Sequence, residues 1–208
     1  MAEKPRNKPF EMLRSFALAD IITLANAACG TVAILLCVSH VEERDSTILW
    51  GAFALFPLAL VADALDGSVA RWRRRSSPIG ADLDSLADVV SFGVAPAVLG
   101  YTLGMRGGWD GVVLVYFVAC GISRLARYNV TAESMTTEKG KVSHYEGTPI
   151  PTSLAIVGLL AAAFATGGVH ESLWLGELDV GPWAFHPLVL VYAVSGSLMI
   201  STLRIPKP

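Results

Sequence analysis

Charge is scarce in this chain. Only 16% of its 208 residues are Asp, Glu, Lys or Arg, against about 25% in soluble domains. That leaves too little polar surface to solvate a globular exterior, and no stretch remains for a separate soluble domain. Cysteine is scarce too. Cys29, Cys37 and Cys120 each stand alone in apolar runs with no pairwise motif, so neither a disulfide framework nor a thiolate metal site is expected. The first residues, MAEKPRNKPFEMLRS, lead to no short apolar core with a small-residue cleavage site, so no cleaved signal peptide is expected. The net charge of −2 decides little, and no nucleic-acid partner is expected.

What fills the chain is apolar sequence. Hydrophobic residues make up 53% of it and recur in continuous, non-alternating runs of roughly 20 residues, the length of a membrane-spanning helix. In lipid only helices or closed barrels satisfy their backbone polar groups. The expected fold is therefore all-α: a polytopic membrane protein forming one domain over residues 1–208. Its six-helix core over 18–208 has spans at about 18–39, 47–70, 80–103, 109–128, 149–166 and 185–202. Residues 1–17 precede them. Within PFEMLRSF, Phe10, Leu13 and Phe16 lie near one face, which predicts a short N-terminal interfacial helix or simply the first turns of the first span. The longest polar connection, 130–147, reads as a flap over a site, and Trp174 and Trp183 read as interfacial anchors. With both termini cytoplasmic, every Lys and Arg except Arg44 and Arg106 falls on the inner side, as the positive-inside rule requires.

The chain is organised around residues 61–95. Asp63 and Asp66 are three apart and Asp84 and Asp88 four apart, so on helices each pair shares a face. Their flanks are strongly apolar. Carboxylates near a membrane core are costly unless compensated, and four that converge repel one another without cations. The simplest compensation is a divalent metal, two ions by this reading, and an all-oxygen set suits magnesium, manganese or calcium rather than zinc. Asp82 points off that face and reads as a helix N-terminal residue. Gly67 and Gly80 leave room for a bulky ligand such as a diphosphate, and Arg71 is placed to pair with a phosphate or a carboxylate. Arg73, Arg74 and Arg75 read as a positive-inside anchor.

The order D-x2-D-G-x2-A-R-x8-G-x3-D-x3-D, carried here by Asp63, Asp66, Gly67, Ala70, Arg71, Gly80, Asp84 and Asp88, resembles the signature of the CDP-alcohol phosphatidyltransferase family. The resemblance implies that Asp63, Asp66, Gly67, Ala70, Arg71, Gly80 and Asp84 surround a CDP group. It also implies that Asp88 is both metal ligand and catalytic base, and that the enzyme is a homodimer with its active site on the cytoplasmic side.

Three further segments resemble the phosphatidylserine synthase branch of that family. In the first span Asp20, Thr23 and Asn26 form one polar stripe at three-residue steps. It serves either helix–helix hydrogen bonding or a wall of the nucleotide pocket. ITLANAACG resembles the first helix of those synthases, which implies CDP-binding roles for Asn26 and then Thr23. At the end of the fourth span, RLARYN carries Arg124, Arg127, Tyr128 and Asn129. Its arginines read either as another inner-side flank or as a fork for an acceptor's carboxylate, and the resemblance implies the latter. EGTPIP, with Glu146 and Thr148, resembles the segment that opens the fifth helix there, and implies acceptor contacts. The whole resemblance implies an enzyme that makes phosphatidylserine and CMP from CDP-diacylglycerol and L-serine among membrane lipids. Inositol phosphate or glycerol phosphate is the alternative acceptor. A cation transporter is the alternative of another class, but an ion path needs carboxylates spread through the membrane depth.

Overall fold

A computed structural model of the chain describes residues 18–73, 79–136, 144–202 and 204–206. The expected N-terminal interfacial helix lies outside them, as do Arg74 and Arg75.

Helix α1 (Leu18–Glu43) runs the length of the molecule, and α2 (Ser46–Arg73) folds back along it through a two-residue turn. Arg44 takes a positive φ of 54° in that turn, and Asp45 caps α2 by accepting the Thr47 N–H at 2.8 Å. The α1–α2 seam is the most extensive in the molecule. Helix α1 is amphipathic in reverse. Its buried stripe is Asp20, Thr23, Asn26, Gly30, Ala33 and Cys37, while Ile21, Leu24, Val32, Leu35 and Val38 are exposed. A helix that puts polar groups inside and aliphatic ones outside is suited to lipid, where the hydrocarbon solvates the aliphatic face.

The third span is the most enclosed of the four long apolar helices. It comprises α3 (Gly80–Asp88), one π-helical turn (Val89–Val94) and α4 (Ala95–Leu103). The Ala95 N–H reaches back to the Val90 carbonyl, five residues away. Pro96 follows without an N–H to offer, which accounts for the local change of pitch. Here α1 presses close: a Cβ built on Gly30 would lie 2.5 Å from Ser91 Oγ. That contact lets Ser91 donate to the Asn26 carbonyl at 2.8 Å.

Helix α5 (Gly108–Thr136) is followed by β1 (His144–Glu146), a 3-10 turn (Ile150–Ser153) and α6 (Leu154–Ala165). Strands β2 (Leu178–Val180) and β3 (Trp183–Phe185) form a hairpin, a 3-10 turn (Pro187–Val189) leads into α7 (Leu190–Ile200), and β4 (Arg204–Pro206) pairs antiparallel with β1. Tyr192 of α7 is fully buried, donates to the Pro96 carbonyl at 2.6 Å and meets Phe117 edge-on, locking α7 to both α4 and α5.

Among the described residues the helical expectation holds apart from two short two-stranded ribbons and the connecting turns. Four helices among those residues are long and apolar enough to cross a membrane: Leu18–Glu43, Ser46–Val69, Gly80–Leu103 and Gly108–Val130. The two further predicted spans correspond to shorter apolar helices, Ile150–Ala165 and Pro187–Ile200. The polar connection predicted from 130 is shorter than expected. Residues 131–136 continue α5, because VTAESMT holds no Gly or Pro to stop a helix once it leaves the apolar window. Its far end is also paired, through β1, with β4.

Candidate active site

Asp63 and Asp66 sit near the end of α2, Asp84 and Asp88 on α3, and α1 runs behind both helices. Asp63, Asp66 and Asp84 each present an oxygen, and the three oxygens lie within 4.8 Å of one another. Asp88 is not one of that trio. It is 7% exposed, and its Oδ1 accepts a 3.3 Å hydrogen bond from Asn26 Nδ2. Asp66, 6% exposed, accepts the Thr23 hydroxyl at 2.6 Å. Thr23 and Asn26 do make helix–helix hydrogen bonds, and their partners are the motif carboxylates.

Two buried oxygens here have no hydrogen-bond partner, Asp84 Oδ1 and Asn26 Oδ1. Buried polar atoms are nearly always satisfied, so an orphaned carboxylate oxygen beside two other converging carboxylates marks a place for a cation. A divalent metal fits this donor set: all ligands are hard oxygens and their spread matches one shared coordination sphere. Asp82 is exposed, in keeping with its expected place off the site.

A match to the family described as CDP-alcohol phosphatidyltransferase spans residues 16–198. The chain belongs to that family. It is 39% identical over 203 residues to the CDP-diacylglycerol–serine O-phosphatidyltransferase of Saccharomyces cerevisiae, covering 96% of this chain and 74% of the yeast protein. The enzyme of that name from Methanocaldococcus jannaschii is 35% identical over 95% of this chain and 89% of its own length. The archaetidylserine synthase of Methanothermobacter thermautotrophicus is 38% identical over 92% of this chain and 70% of its own. Together with the four long apolar helices, the family makes the protein an integral-membrane enzyme.

In this CDP-alcohol phosphatidyltransferase the remaining predicted residues lie on α2, α3, α5 and the segment from β1 to the 3-10 turn before α6. Gly67 is half-buried beside Asp66, and Gly80, also half-buried, opens α3. Ala70 and Arg71 belong to α2, but their side chains lie outside the described residues, as does that of Glu146. On α5 Arg124 is half-buried, whereas Arg127 and Tyr128 are exposed. Asn129 turns back to α3, where its Nδ2 donates to Ser85 Oγ at 3.0 Å. Thr148 is half-buried with its hydroxyl oxygen unpartnered, and its N–H donates to the Leu198 carbonyl at 3.2 Å. Gly147 before it has φ +75°, and a Cβ there would collide with the Met199 carbonyl, so the segment is drawn tightly onto the end of α7.

Two residues escaped the sequence reading. Ser85 lies three before Asp88, and Ser91 three after it, a spacing that was legible. Asp20, 2% exposed, is close enough to act electrostatically on Asp66. Its step from Thr23 was noticed, but nothing local tied it to a motif 43 residues further on. The three cysteines are free, as expected.

Proposed function

We propose that the chain is a CDP-diacylglycerol–serine O-phosphatidyltransferase, transferring the phosphatidyl group to L-serine and releasing CMP. The observation that carries the reading is the convergence of Asp63, Asp66 and Asp84, with Asp88 on the same helix as Asp84 and hydrogen-bonded to Asn26. Two kinds of carboxylate, clustered and separately oriented, match the two roles the reaction needs. Asp63, Asp66 and Asp84, with Asp88 alongside, would hold divalent cations, magnesium or manganese. When bound, such ions neutralise the diphosphate and stabilise charge developing at phosphorus. Asp88 takes the proton of the serine hydroxyl as that oxygen bonds to phosphorus and the bond from phosphorus to CMP breaks. Thr23 and Asn26 fix the carboxylates by hydrogen bonds, Gly67, Ala70 and Gly80 leave space for the nucleotide, and Arg71 is assigned to pair with its phosphates. Arg124 and Arg127 recognise the serine carboxylate, with Thr148, Glu146 and Tyr128 completing that side. The reading includes a cytoplasmic site, six spans and a homodimer. It fixes the headgroup chemistry and not the tails, since one relative is named for an archaetidyl product.

The test uses purified protein in detergent with CDP-diacylglycerol and magnesium or manganese. CMP release is followed with serine, inositol phosphate and glycerol phosphate offered separately. The expected result is release with serine alone, lost in Asp88→Asn. Release only with a phosphorylated acceptor would overturn the serine assignment and make the two arginines phosphate ligands. A transporter would release no CMP.

A further inference from the structure

The end of α3 is held on two sides by unequal means. Towards α1 it is secured by Asn26 Nδ2 on Asp88 and by Ser91 Oγ on the Asn26 carbonyl, the second at 2.8 Å within a contact too close for a side chain at Gly30. Towards α5 the packing of α3 itself is sparse, the π-helical turn making the closer contact, and a side-chain pair bridges the two helices. Asn129 Nδ2 lies 3.0 Å from Ser85 Oγ, and Ser85 Oγ lies 3.3 Å from Asn129 Oδ1. The serine hydroxyl also reaches the Ala81 carbonyl at 3.0 Å. Ser85 stands one turn before Asp88 on the same face, and Asn129 closes the segment that carries Arg124 and Arg127.

We infer that Ser85 and Asn129 are positioning residues for the acceptor. The pair fixes the rotation and spacing of the arginine-bearing end of α5 against the helix of Asp84 and Asp88, and so sets where an acceptor bound by Arg124 and Arg127 presents its hydroxyl to Asp88. The assignment rests on the acceptor roles proposed above. It replaces the direct acceptor contact expected of Asn129 with an indirect one, and it adds Ser85, for which no role was expected.

The asymmetry of support predicts a selective defect. Without the pair α3 stays on α1, and with it the carboxylates that face the nucleotide. The end of α5 alone is released. Ser85→Ala and Asn129→Ala should each raise the KM for serine roughly three- to tenfold, the worth of one such hydrogen bond, and change the KM for CDP-diacylglycerol by less than about twofold. The double variant should be no worse than either single, because the two residues act as one unit. Ser85→Thr, which keeps the hydroxyl, should restore the serine KM. Equal rises in both KM values, multiplication of the two defects in the double variant, or failure of threonine to rescue would each overturn the assignment. Glycerol phosphate and inositol phosphate are run in parallel. If the wild type uses one of these instead, the serine reading fails, and the same KM comparison on that acceptor still decides the role of the pair.

Discussion

Each end of this molecule buries an aspartate, and the two are treated in opposite ways. At the end away from the candidate site Asp110 is 0% exposed. It accepts the Gly107 N–H at 2.8 Å, the His186 N–H at 2.8 Å and the His186 Nδ1 proton at 2.6 Å. Its oxygens are used up in joining the start of α5 to the segment that enters α7. At the other end Asp63, Asp66 and Asp84 converge within 4.8 Å and an oxygen of Asp84 has no partner. Burial of a carboxylate therefore does not distinguish a site from a staple. The distinguishing feature is unused acceptor capacity: a satisfied carboxylate is structure, and a surplus of them in one place offers a cation its ligands.

The largest effect should come from breaking the staple. Asp110→Ala leaves His186 Nδ1 and the backbone N–H groups of Gly107 and His186 without their acceptor, and should cost about 3–5 kcal/mol of stability, read by thermal or denaturant unfolding in detergent. The fraction that stays folded should turn over normally. Loss of turnover at unchanged stability would erase the contrast between the two ends. Asp84→Asn should do the reverse: CMP release falling roughly 10²–10³-fold while the metal-free protein becomes more stable, because a charge that repelled its neighbours is gone. A less stable metal-free Asp84→Asn would mean that the cluster is not under repulsion.

A cation titration sharpens the same contrast. Magnesium or manganese at about 100 times its dissociation constant should stabilise the wild type by about 2.7 kcal/mol. Asp110→Ala should keep that increment and Asp84→Asn should lose most of it, while chelation should abolish CMP release from the wild type. An equal increment in all three proteins would place the ion elsewhere. The smallest effect is expected behind the cluster. Thr23→Val removes the hydroxyl that Asp66 accepts and should lower kcat/KM roughly tenfold, the worth of one hydrogen bond to a charged group, with near-normal stability. A loss as large as that of Asp84→Asn would make Thr23 a direct ligand and not a support.

Much of the site was legible because its spacing is local. Two aspartates three or four apart on one helix share a face whatever the rest of the chain does, so both halves of the centre could be read from residues 61–95. The stripe of Asp20, Thr23 and Asn26 was legible for the same reason, but its partners were not, since Thr23 bonds a residue 43 positions away and Asn26 one 62 away. Asn129 shows the limit most plainly. Nothing local ties it to Ser85, 44 residues away, which it bonds across the gap between two helices. Hydropathy likewise located the long helices but overestimated α6 and α7, whose apolar stretches begin in 3-10 turns, and it ended α5 too soon.

The sequence by itself determined the membrane class, the helical fold and the four carboxylates, because these follow from composition and from periodicities shorter than one helical turn or two. Only the tertiary structure decided that three carboxylates cluster while Asp88 is bonded to Asn26, and that Asp110, as deeply buried as any of them, is a closed staple. Those distinctions depend on which hydrogen-bond donors other helices bring to each oxygen, and the approach of helices distant in sequence is fixed by packing, as at Gly30 against Ser91, rather than by any local pattern.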